Sequence, residues 1–127
     1  MERVDVGGYI HGISLFNQAE FFAAHEALED VWRAAPTPEK KFLQGLVQVA
    51  VAFHHYSTGN QVGMRSVLER AMRNLAGNPE EFGGIKLALF LRALAEWRKA
   101  LDSGKTPPAL PQIELCDGSS SSRQEVR

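Results

Sequence analysis

The sequence predicts an all-α fold: a compact antiparallel bundle of four main helices followed by an extended, Pro-rich C-terminal tail. Three observations carry this. Apolar residues recur at helical spacing between residues 17 and 103, with no competing strand alternation. Start and stop residues punctuate the pattern: Asn17, Thr37-Pro38 and Asn60 as starts, Gly59, Gly77 and Gly104 as stops. After Gly104 the run TPPALP rejects a helix, because proline lacks the donor and clashes with the preceding turn. The length of 127 residues, with 44% hydrophobic and 23% charged residues, fits one globular domain.

Residues 1–15, with paired glycines at Gly7-Gly8, read as an irregular lead-in. Asn17 then serves as N-cap with Glu20 at N3, and Phe16 and Phe21 are placed to staple the same cap. This helix runs to about Ala34, and Phe21, His25, Leu28 and Trp32 share its inward face. Thr37 and Pro38 start a second helix, apolar nearly all round, that stops at Gly59 and is expected to lie at the centre. Asn60 caps a third, ending near Ala76, with Met64, Val67, Leu68, Ala71 and Leu75 inward and Arg65, Glu69 and Arg73 forming i,i+4 charge pairs outside. Asn78-Pro79 and Gly83-Gly84 bracket a loop. A fourth helix runs from about Ile85 to Ser103, with Leu87, Phe90, Leu91, Leu94, Trp97 and Leu101 inward. Ile113 and Leu115 can press the tail onto the bundle. The expected domain is 1–115, with 116–127 a flexible polar tail.

Composition excludes several function classes. One cysteine, Cys116, rules out an internal disulfide framework and any multi-cysteine zinc module. The N-terminus has no apolar core of a signal peptide, and Phe42–Phe53 is too short to cross a bilayer, so a cytoplasmic protein without a membrane partner is expected. The net charge of −1 gives no reason to expect nucleic acid. That balance hides a division: residues 1–35 carry 2 basic and 6 acidic side chains, residues 36–76 carry 5 basic and 2 acidic. A basic patch would require Lys40, Lys41, Arg65, Arg70 and Arg73 to converge. The sequence names no cofactor and leaves a homo-oligomer open.

The chemistry-bearing residues concentrate on two helices. His25 and Glu29 stand at i,i+4 and can pair on one helix face, beside Glu26. Gln44, Gln48 and His55 form a polar stripe at i, i+4, i+11 on the otherwise apolar second helix. If the helices are neighbours, His25, Glu29, Gln44, Gln48 and His55 form a cluster edged by Glu26 and His54. Three readings follow. A closed network of these groups would fix helix register. A pocket would use Glu29 or His25 as general base and the glutamines as donors. A metal site would draw on His25, Glu29 and His55, although His-Glu-x-x-Glu lacks the second histidine of the zincin motif and the Glu-x-x-His pairs of di-iron bundles.

The stretches GISLFNQAEFFAAHEALEDVW (12–32) and FLQGLVQVAVAFHHYSTGN (42–60) resemble the bacterial and archaeal family known as domain of unknown function 309. The positions that carry the resemblance are Leu15, Phe16, Asn17, His25, Glu26, Glu29, Trp32, Leu43, Gln44, Gly45, Gln48, His55, Gly59 and Asn60. Two positions depart from the family pattern: Gly63-Met64, where Gly-Ala is common, and Gly84-Ile85-Lys86, where the last residue is commonly Asp. The resemblance covers about residues 9–115 and implies a compact helical domain with no particular activity. The leading expectation is a noncatalytic binding or scaffolding module with a buried His/Glu/Gln polar network. The alternative is an enzyme, or a metal- or small-ligand-binding protein, that uses His25, Glu29, Gln48 and His55.

Overall fold

The computed structural model describes residues 4–116. It contains five helices: α1 (Val6–Asn17), α2 (Phe21–Ala34), α3 (Thr37–Ser57), α4 (Gln61–Leu75) and α5 (Leu87–Ser103). Two-residue strands β1 (Glu81–Phe82) and β2 (Ile85–Lys86) form a tight antiparallel hairpin ahead of α5. Consecutive helices pack on one another, with α3 held between α2 and α4.

The fifth helix, α1, occupies the stretch expected to be an irregular lead-in, so the expected count of four is corrected. Its glycines misled the reading. Asp5 caps the helix, and its carboxylate accepts from the Gly8 amide at 3.0 Å. Gly12 lies so close to α2 that a Cβ there would stand 2.7 Å from Leu28 Cδ2. Burial of Tyr9, Ile13 and Phe16 outweighs the poor helix propensity of Gly7, Gly8 and Gly12.

Asn17 ends α1 instead of starting α2, and Glu20 is the residue before α2 rather than its N3 position. The turn between them has the Schellman pattern: the Glu20 amide donates to Leu15 O and the Ala19 amide to Phe16 O, each at 2.9 Å. Ala19 takes the left-handed conformation, φ +64°, that glycine usually occupies. The α3–α4 turn repeats the pattern with Gly59 at φ +83°, and Asn60 caps α4 through the Gly63 amide at 2.9 Å, as expected.

The core is strongly aromatic. Phe16 on α1 meets Phe21 on α2, Phe53 on α3 and Phe90 on α5 with ring centroids 5.2, 6.0 and 5.8 Å apart. Phe53 in turn meets Trp97 edge-on at 5.0 Å. The α4 charges expected to pair along their own helix reach α5 instead: Arg65 to Asp102 at 3.2 Å and Glu69 to Arg98 at 3.8 Å.

Residues 105–116 run without helix across the bundle, and their backbone is tied down at intervals. The Trp97 indole donates to Ala109 O at 3.0 Å. Asn17 brackets Ile113, donating to its carbonyl at 2.9 Å and accepting from its amide at 2.8 Å. Lys86 and Cys116 amides bond Glu114 O and Gly84 O at 2.9 and 2.8 Å, joining tail to hairpin. Ile113 is buried as expected, whereas Leu115 is exposed. The polar tail expected over 116–127 lies, beyond Cys116, outside the described residues.

The hairpin is anchored to α1 by the Tyr9 hydroxyl, which donates to Gly83 O at 2.6 Å. Burial, and secondarily the Cys116 thiolate, push the Tyr9 phenol above its ordinary range. The folded chain therefore holds this proton to higher pH than the unfolded chain. Its contribution is whole below the unfolded value of about 10 and is lost as pH rises beyond it. Urea unfolding between pH 8 and 11 should show stability falling at the alkaline end, with a shallower fall in Tyr9→Phe. An unchanged slope in that variant would contradict the assignment.

Candidate functional site

The inward stripe of α2 is Phe21, Ala24, Leu28 and Val31. The stripe read from the sequence was Phe21, His25, Leu28 and Trp32. The two share Phe21 and Leu28 and differ in rotation, since the intervening position that faces in is i+3 rather than i+4 in each turn. Ala24 is fully buried and Val31 nearly so. His25, Glu29 and Trp32 are consequently carried to the edge, each half-buried. Small Ala24 lets the helices approach; an imidazole turned inward there would need room and a partner in an aromatic core.

His25 and Glu29 do pair, Nε2 to Oε1 at 3.5 Å, and Arg33 Nη2 lies 3.5 Å from the same oxygen. Glu26 is exposed. Phe22, the neighbour of the inward Phe21, is 53% exposed. Its ring sits beside His25 at 5.9 Å and His54 of α3 at 5.4 Å between centroids. Phe22 had no role in the sequence reading. The doubled Phe21-Phe22 carried a partial signal, since adjacent helix positions are about 100° apart and the second ring does not have to share the inward stripe of the first.

The stripe on α3 faces elsewhere. His54 points toward α2, whereas Gln48 accepts from Asn74 Nδ2 of α4 at 2.7 Å. His55 lies at the α3–α4 turn, where Asn60 Nδ2 donates to its Nδ1 at 3.4 Å. Gln44 is exposed. The single cluster of His25, Glu29, Gln44, Gln48 and His55 is therefore divided into three separate places. Gln44, Gln48 and His55 lie about 100° round α3 from His54, and the partners of Gln48 and His55 belong to α4 and its turn rather than to α2. His25, Glu29, Gln48 and His55 are each only half-buried and Gln44 is exposed, so the buried network is corrected as well. Among the described residues no three His, Cys, Asp or Glu side chains gather as a group able to hold a metal, and His25, Glu29 and His55 are not brought together.

Other candidates resolve in the same way. Lys40 Nζ donates to Trp32 O at 2.7 Å and Arg33 O at 3.2 Å, closing the end of α2, and stands 4.9 Å over the Trp32 ring. Arg65 donates to Leu101 O at 2.8 Å. Two of the five cations of the supposed basic patch are thus engaged at unrelated helix ends. The Cys116 thiol is pushed up by burial and by the charge of Glu81, the opposite of an activated nucleophile.

The rotation of α2 has a measurable consequence. Glu29→Gln should change unfolding free energy by less than about 0.5 kcal/mol, as for partly exposed pairs. Ala24→Leu should cost about 1–3 kcal/mol by overpacking. Urea denaturation of both variants checks this, and the reverse ranking would restore His25 and Glu29 to the interior.

Residues 9–67 match the model of a family described as "Domain of unknown function (DUF309)". The chain is similar to an uncharacterized protein of Aquifex aeolicus (strain VF5), 33% identical over 93 residues, which is 72% of this chain and 28% of that protein. It is also similar to the uncharacterized protein YpuF of Bacillus subtilis (strain 168), 32% identical over 57 residues, 44% of this chain and 33% of that protein. In both cases the match spans about a third or less of the relative's length. The region matched by the family contains every position on which the resemblance rests, from Leu15 to Asn60, and that resemblance to domain of unknown function 309 holds.

Proposed function

We propose that the chain is a noncatalytic, cytoplasmic binding module whose outer α2 surface docks a basic protein partner around Phe22. The observation that carries this reading is the exposure of Phe22 between His25 and His54. A large ring left in solvent inside a folded domain has little reason to be there for stability, and aromatic anchors dominate protein interfaces. Its surroundings favour a basic partner. Glu26, Glu29 and Asp30 lie on the same helix, with Arg33 the only basic residue of α2 apart from His25. The relatives support a docking role, because in them the matched stretch occupies only part of a longer chain.

Of the positions that carry the family resemblance, several build the fold. Phe16 joins helices, Asn17 fixes Ile113, and Gly45 admits Leu75 so closely that a Cβ would stand 2.7 Å from its Cδ2. His25, Glu26 and Glu29 have no such task; His25 packs beside Phe22, and the two carboxylates lie further along the same helix.

The test places the photo-crosslinker p-benzoylphenylalanine at position 22 in cells producing the chain, identifies the captured protein and reconstitutes the pair. Phe22→Ala should weaken the purified complex by about 2 kcal/mol, roughly 30-fold. Glu26→Lys should weaken it further and flatten its salt dependence. No capture, a captured second copy of this chain, or a complex indifferent to both substitutions would overturn the proposal.

A further inference from the structure

We propose that a cleft between α1 and the β1–β2 hairpin binds a small organic cation with an apolar body, gripped by Glu39. This cleft lies away from the Phe22 surface. It has a volume of about 370 Å3 and is lined by Val6, Tyr9, Ile10, Glu39, Phe82 and Gly83. That volume falls within the range of small-ligand sites, and the lining has their usual character, apolar walls with a few polar groups.

The walls are fixed in advance. Tyr9 holds the hairpin tip through Gly83 O, and Phe82 packs edge-on against Phe42 of α3 at 5.0 Å. Gly83 and Gly84 both have positive φ, +62° and +73°. A Cβ at Gly83 would stand 2.5 Å from the Phe42 ring, so the tip approaches α3 as only glycine allows. The tail closes the other side of the hairpin through Cys116 and Glu114. A site built on such supports loses little freedom when a ligand enters.

The apolar side is unfilled. Val6 and Ile10, one turn apart on α1, are 56% and 39% exposed at its mouth. The polar side is unsatisfied. Glu39 is the one charged lining residue, and its Oε1 is buried without a hydrogen-bond partner among the described residues. Buried carboxylate oxygens need a donor. Lys40, adjacent in sequence, is engaged at the end of α2 and does not supply one. An ammonium or amidinium group in the cleft would meet the charge of the Glu39 carboxylate, which a turn of the side chain brings within reach of its donor, while its apolar body covered Val6 and Ile10. A carboxylate ligand would meet repulsion.

The test titrates the 15N-labelled full chain at pH 7 with 2-phenylethylamine, 2-phenylethanol and 3-phenylpropionate, which share a ring and chain and differ in charge. Saturable amide shifts are expected at Tyr9, Ile10, Gly83 and Gly84. The amine should bind about 10-fold more tightly than the alcohol, as charge-assisted hydrogen bonds allow, and the acid should not bind. Glu39→Gln should erase that preference. If that variant fails to fold, Ile10→Ser, at an exposed rim, should weaken the amine instead. No saturable shift with the amine, equal binding of amine and alcohol, shifts centred elsewhere, or a preference that survives Glu39→Gln would each overturn the proposal.

Discussion

Three helices converge on the ring of Phe16, which joins α1 to α2, α3 and α5 through Phe21, Phe53 and Phe90. Edge-to-face packing of this kind is directional as well as apolar, so it fixes rotation and not only proximity. With Phe21 held inward, Ala24, Leu28 and Val31 must follow along the same face of α2. Gly12 then admits Leu28 against α1. Everything on the opposite face of α2 follows from that setting: Phe22 and Glu26 stand in solvent, and His25 and Glu29 lie at the margin. The proposed docking surface is thus a consequence of how the core is packed.

The same setting explains how structural and surface roles separate along a short stretch of sequence. Phe21 and Phe22 are neighbours with opposite fates. Asn17 and Asn60 are both asparagines at a helix boundary. Asn60 caps α4, whereas Asn17 uses both ends of its amide to hold the tail at Ile113, standing in for a neighbouring strand. The hairpin, backed by the tail, in turn gives the Glu39 cleft one wall, so that proposed site depends on contacts far apart in sequence.

Much of the fold was legible in the sequence because its signals are local. Gly59 and Gly104 end helices with positive φ, Asn60 caps one, and Trp97 is buried with its indole bonded. What was missed depends on tertiary packing. The α1–α2 turn places Ala19 where a glycine would have announced it, so Asn17 looked like a start instead of an end. The glycines of α1 spoke against a helix that burial against α2 stabilises. For the candidate site, the i,i+4 pairing of His25 and Glu29 was readable, being a property of any helix. The rotation of that helix was not, because stripes 21-25-28-32 and 21-24-28-31 are equally periodic and only the partner surfaces choose between them.

The central claim is that α2 turns Phe22, His25 and Glu29 outward and Ala24 inward. Paramagnetic relaxation by a soluble, uncharged gadolinium chelate measures this directly in the 13C-labelled chain. The account predicts strong broadening of the Phe22 ring and clear broadening of the His25 imidazole, with the Ala24 and Val31 methyls unaffected. Protected Phe22 and His25 signals beside a broadened Ala24 methyl would contradict it.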